Sequence, residues 1–176
     1  GGLGIVPSRT QQHGYLWRRP ITHGQLQDRL DQAHRPYHRA IEEQLGLLLD
    51  RFGCALLIDC HSMPPPAAGV PPVIFGDCRG RTADAWVSRE ASDIARICGF
   101  EAGLNEPFAG GHVIDRHARP AHNVHAIQLE IDRRCYLDEA LREAGPGFDS
   151  VAAFVERLAV ELGEGLLGRQ FATAAE

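Results

Sequence analysis

Two short stretches of this chain hold side chains whose types and spacing suit hydrolysis. The first is Asp59-Cys60-His61-Ser62, which ends the apolar run Cys54-Ala-Leu-Leu-Ile. Asp59 and His61 are two residues apart, so in a strand they share one face. An imidazole at a strand end is a good ligand for a divalent cation such as zinc, and a carboxylate beside it can orient the ring. Ser62-Met63-Pro64 then turns the chain away and leaves the position open, with Ser62 as a supporting hydroxyl.

The second stretch covers residues 112–133. Four of the nine histidines lie there (His112, His117, His122, His125), interleaved with Arg116 and Arg119. It feeds into Ala126-Ile-Gln-Leu-Glu-Ile-Asp-Arg133, where Gln128 and Glu130 share one strand face and Ile127, Leu129 and Ile131 the other. A carboxylate flanked by Leu129 and Ile131 in a central strand is costly unless it is paired, metal-bound or poised for proton transfer. Burial raises its pKa toward neutrality, which suits a general base.

The expected chemistry is metal-assisted hydrolysis. A divalent cation on His61 lowers the pKa of water, Glu130 takes the proton, and an amide carbonyl is attacked. Arg116 and Arg133 are candidates to clamp a substrate carboxylate through parallel hydrogen bonds. His117, His125 and Gln128 are candidates to line the site, and His112 and His122 read as polar loop residues. The chemically idle alternatives are a buried Glu130–Arg133 ion pair and a hydrogen-bonded histidine at the rim of a sheet.

The elements that would position these residues follow from periodicity. Residues 22–52 read as a long helix: Thr22 with Gln25 makes a capping box, and Leu26, Leu30, Ala33, Tyr37, Ile41, Leu45, Leu48 and Phe52 recur at three- and four-residue steps. Pro36 should kink or split it, and Gly53 should stop it. Residues 54–61 lack alternation, the pattern of a strand buried on both faces. Residues 62–81, rich in proline and glycine, read as a loop. A helix is expected over 83–98, with Thr82 as cap and Gly99 as stop, then short extended pieces and loops over 100–123. A second buried strand covers 124–131. A last helix starts near Asp149, with Val151, Val155, Leu158, Leu162 and Leu166 on one side. This alternation predicts an α/β fold of three layers, a central mixed, largely parallel sheet between helices, in which ligands gather beyond the carboxyl ends of the strands.

Composition sets the outer bounds. The 176 residues fit a single domain over 1–176, and 44% apolar with 23% charged residues is ordinary globular composition. A net charge of −5 with no basic stripe argues against a nucleic-acid partner, and no apolar run is long enough for a membrane helix. All 18 basic residues are arginine, which reads as coding bias. Five cysteines without CxxC spacing point to a reducing, cytoplasmic setting; Cys60, next to His61, should face away from it. The opening Gly1-Gly2-Leu3-Gly4-Ile5 reads like the middle of a protein. Oligomeric state is not legible.

These motifs resemble the N-formylglutamate amidohydrolase family. Arg35-Pro-Tyr37-His38, Leu57-Ile-Asp-Cys-His61-Ser-Met-Pro64, Gly110-Gly111, His125-Ala-Ile-Gln-Leu-Glu130-Ile and Tyr136-Leu-Asp-Glu139 follow the family's order through most of residues 1–140. The resemblance implies a zinc-carboxypeptidase/phosphorylase-hydrolase-like core, with His61 as a zinc ligand and Glu130 as general base. It also implies a small-molecule N-acyl amino acid as substrate: N-formyl-L-glutamate, hydrolysed to formate and glutamate late in histidine breakdown. Arg116 and His117 fall where the family's substrate-facing loop lies. The family's His-Ser-Gly and Asp-Leu-Asn-Arg motifs would precede Gly1, so the chain is expected to be the C-terminal two-thirds of such a domain. Another zinc N-acyl-amino-acid hydrolase of the desuccinylase type, or a non-catalytic member of the fold, remain the other readings.

Overall fold

Strand β6, Val124–Asp132, is buried along all nine residues, and the rest of the fold is arranged around it. In this computed structural model, which describes residues 6–10 and 14–173, β6 lies inside a four-stranded sheet ordered β3-β6-β4-β5. The partners are β3 (Ala55–Met63), β4 (Val73–Gly76) and β5 (Ala102–Leu104). β3 pairs parallel with β6, β6 antiparallel with β4, and β4 parallel with β5, so the sheet is mixed. The expected strand over 54–61 is present as β3, which stands at the edge of the sheet and is only partly buried along most of its length. The opening pentapeptide read as mid-protein lies outside the described residues.

Helices cover both faces. On one face α3 (Ala85–Ile97) and α5 (Phe148–Thr173) pack against Val73, Phe75, Ile127, Leu129 and Ile131. Val87, Ala91, Ile94 and Ala95 project from α3, and Val151, Phe154, Leu158 and Leu162 from α5. On the other face the short helix α4, His112–His117, packs Ile114 and the following Ala118 against Ala126 and Leu57. Glycine stops α3 as expected, Gly99 taking φ +84°. Its N-cap, however, is Asp84; Thr82 is instead buried, with its carbonyl accepting from Ala126 N–H.

Two elements depart from the pattern-based reading. Residues 62–81 are not all loop, because Val73-Ile-Phe-Gly76 forms the fully buried β4. Residues 100–123 contain α4 as well as extended pieces.

The chain divides into two compact units, residues 1–43 and 44–176. In the first, β1 (Arg9–Thr10) and β2 (Gly14–Tyr15) form an antiparallel pair, followed by α1 (His23–Arg29), whose Thr22–Gln25 capping box is formed. The helical path continues through a π-helical turn, Leu30–His34, into α2 (Arg35–Phe52). Pro36 has no N–H to give to this continuous path, and the expected break appears as the widened turn just before it, where Arg35 N–H reaches back to Leu30 O. Gly53, at φ +72°, ends α2. No helix among the described residues is long and apolar enough to cross a membrane.

Candidate active site

The register of the two parallel strands builds the site. Asp59 on β3 lies opposite Gln128 on β6, and His61 lies opposite Glu130. Paired residues point to the same side, so all four side chains share the α4 face near the carboxyl ends of both strands. Strands about 4.8 Å apart bring such neighbours within reach of one another. His61 Nε2 is 3.1 Å from Asp59 Oδ2, and its Nδ1 is 3.9 Å from Glu130 Oε1. Gln128 Nε2 donates to the same Glu130 oxygen at 3.0 Å. At the strand exit Arg133 Nε donates to Ser62 Oγ at 3.4 Å; Ser62 pairs with Ile131, so its side chain is on the opposite face from His61.

Burial differs across the four. The Glu130 side chain is 10% exposed and that of His61 46%. Burial pushes the Glu130 carboxyl above its ordinary range; His61, Arg133 and the Gln128 amide oppose that, and the Asp59 carboxylate adds to it. The result is a half-open imidazole beside a largely buried carboxyl that holds its proton more tightly than a surface glutamate.

Three expected site residues are not brought to Glu130. His125 is five residues away on the same strand, about 17 Å along it and on the opposite face. There its ring meets Trp86 edge-on at 6.2 Å, and its Nδ1 accepts from Asp84 N–H at 3.4 Å. Burial lowers its pKa, against the opposing pull of the Asp84 carboxylate. Arg116 and His117 lie on α4, which starts with Gly111 against Gln128 and runs back toward the Arg119–Val124 bridge. The helix therefore carries both away from Glu130, Arg116 exposed and His117 buried.

A cation bound here would find donors of the right kind but an incomplete set. His61, steadied by Asp59, fits the carboxylate–histidine–metal pattern, and Glu130 stands next to it. Asp59, His61 and Glu130 do not bring one donor each within 4.8 Å of one another, and a catalytic zinc asks for three protein ligands. Two histidines given no role from sequence also stand out, within the N-terminal unit. His34 and His38 are four residues apart on one helical path, with ring centroids 4.3 Å apart. The i, i+4 spacing alone was the signal that could have found them.

The chain resembles known proteins along most of its length. It is 34% identical over 142 residues to N-formylglutamate deformylase of Pseudomonas putida, covering 77% of this chain and 48% of that protein. The deformylase of the same name from Pseudomonas aeruginosa is 37% identical over 116 residues, 62% of this chain and 44% of the relative. The chain thus spans about half the length of these curated relatives. The crystal structure of N-formylglutamate amidohydrolase from Ralstonia eutropha JMP134 superposes with a TM-score of 0.82 at 25% identity, covering 92% of this chain and 61% of that one. The fold also recurs in gene product Atu2144 from Agrobacterium tumefaciens, at a TM-score of 0.63 and 12% identity, covering 98% and 63%. With residues 1–137 matching the family's sequence profile, this chain belongs to the N-formylglutamate amidohydrolase family.

Proposed function

We propose that this chain is part of a single metal-dependent amidohydrolase domain that cleaves N-formyl-L-glutamate to formate and L-glutamate. The observation that carries the reading is the pairing of His61 with Glu130 across two parallel strand ends, an imidazole and a proton-hungry carboxyl over one open position. The names of the similar deformylases support the substrate.

A divalent cation, zinc by its preference for imidazole and carboxylate, would be held by His61 and would supply polarisation of the acyl carbonyl. Asp59 fixes the His61 ring through Nε2, leaving Nδ1 as the donor. Glu130 accepts a proton from water as the water oxygen bonds to the formyl carbon. It returns that proton to the glutamate nitrogen as the C–N bond breaks, so no net charge accumulates on the enzyme. Arg133, which follows β6 and bears on the Glu130 carboxyl, would be the cation that meets a substrate carboxylate.

One observation favours a second reading, hydrolysis of N-acyl amino acids with a larger apolar portion. A cavity of about 490 Å³ on the α5 side of the sheet is joined to the site at His61 and lined by Ile131, Tyr136, Phe148, Val151 and Val155, with Glu156 and no basic side chain. An apolar chain suits that lining better than a second carboxylate does.

Formate release from N-formyl-L-glutamate, measured with added zinc and after chelation, tests the first reading against Glu130→Gln and His61→Ala. Turnover that survives Glu130→Gln defeats it. A preference for formyl-leucine or longer acyl groups over formyl-glutamate would select the second.

A further inference from the structure

We propose that Gln128 is a positioning residue: clamped from behind by the Gly110-Gly111 loop, it fixes Glu130 so that Oε2 is the oxygen that handles the proton. The proposal rests on the hydrolase reading above, and it gives Gln128 a different task from the substrate contact its place in the sequence suggests.

Gln128 has little surface to offer a substrate. It is 6% exposed, and its Nε2 is committed to Glu130 Oε1. On its other side, a Cβ at Gly111 would stand 3.1 Å from Gln128 Oε1, so glycine there lets the backbone lie against the amide. Gly76 is Gln128's neighbour in the antiparallel register, and a Cβ on it would meet Gly110 N at 2.6 Å and Ala109 C at 2.7 Å. Two glycine positions thus let the 109–111 backbone press onto the sheet at the Gly76–Gln128 pair, forming a fixed wall behind the amide.

That wall matters because glutamate has three rotatable bonds, and the remaining contact, to His61 at 3.9 Å, is too long to select one rotamer. The amide cannot reverse while Glu130 is ionised, since a carboxylate only accepts and would then face Gln128 Oε1. Oε1 therefore already accepts one hydrogen bond and is the less basic of the two oxygens. Among the described residues no hydrogen bond reaches Oε2, which is left to receive the proton from water and to deliver it to the leaving nitrogen.

Two substitutions test this in the full chain. Gln128→Met keeps the shape and removes the donor. It should lower kcat for formate release about 10- to 100-fold, the range for losing an orienting partner, with KM within about twofold. Gly111→Ala, which pushes on Gln128 Oε1, should lower kcat in the same direction by less. A raised KM at unchanged kcat restores the substrate-contact role and overturns the proposal, as does no change in either constant. A readout independent of turnover is the side-chain amide of Gln128 in 1H–15N spectra. One of its protons should be displaced by the carboxylate bond and should move when Glu130 becomes Gln. An amide signal that ignores Glu130→Gln sinks the positioning role. A signal that responds in a protein releasing no formate leaves the positioning role standing and removes the hydrolase reading instead.

Discussion

On the α4 face burial works against the charge of Glu130, and its partners only partly offset that. Burial and the Asp59 carboxylate favour the protonated form, while His61, Arg133 and Gln128 favour the ionised one. In the proposed reaction Glu130 works as a base only when ionised, so turnover should rise with pH through a value above the ordinary glutamate range, a displaced acid limb in a kcat/KM profile. Glu130→Gln should lower kcat by about 100-fold or more, the usual worth of a positioned base. The types of Asp59, His61 and Glu130 and their two-residue spacing were legible in the sequence, because strand alternation alone puts each pair on one face. His125 could have been excluded the same way, since an odd spacing from Glu130 reverses its face. The position of Arg116 could not, because the direction of α4 depends on where Gly111 docks, which is a long-range contact. The task of Gln128 was hidden for the same reason: its wall comes from a loop 17 residues earlier in the chain.

The elements that escaped the sequence reading are the short ones. β4 contributes only Val-Ile-Phe-Gly between Pro71-Pro72 and a turn, too brief for a period to emerge, and it exists because antiparallel pairing to β6 buries it. Its exit turn shows how tightly it is held. Cys78, Arg79 and Gly80 all take positive φ, and Asp77 anchors them from beneath. Asp77 accepts from Gly80 N–H and Asn105 Nδ2, each at 2.8 Å, and from Ser88 Oγ at 2.5 Å. Burial pushes the Asp77 carboxyl up, yet these hydrogen bonds together outweigh it and hold its pKa below the usual range. An acid depressed in the folded state adds stability that is present above its unfolded pKa and lost as pH falls through the folded one. Asp77→Asn should therefore lower the thermal midpoint at neutral pH and flatten its fall in acid; a midpoint unchanged at pH 7 would count against the anchor. Gly76→Ala should cost about 1–3 kcal/mol, because the atoms it meets are backbone and cannot swing aside, and urea unfolding would measure it.

On the proposed reading, the sheet of residues 44–176 divides its two faces between stability and chemistry. The α3/α5 face carries the large core, with Val73, Phe75, Ile127, Leu129, Leu158 and Leu162 fully buried. The α4 face buries only a small cluster around Ile114 and Ala126, and gives its carboxyl end to Asp59, His61, Gln128 and Glu130. Substitutions on the two faces should therefore separate cleanly. Leu158→Ala should cost about 2–5 kcal/mol, the range for a buried leucine, while kcat below the unfolding transition stays near wild type. Glu130→Gln should do the reverse. An acid raised in the folded state contributes stability that is full below its unfolded pKa and lost as pH rises through the folded one. At neutral pH the ionised Glu130 is thus a burden on the metal-free protein, and the neutral amide removes it while still accepting from Gln128. Calorimetry at pH 7 in the presence of a chelator should find the Glu130→Gln midpoint level with wild type or above it, and the difference should shrink toward pH 4 as wild-type Glu130 becomes protonated. A midpoint well below wild type would mean that Glu130 serves the fold rather than the reaction, and the division between the two faces would fail with it.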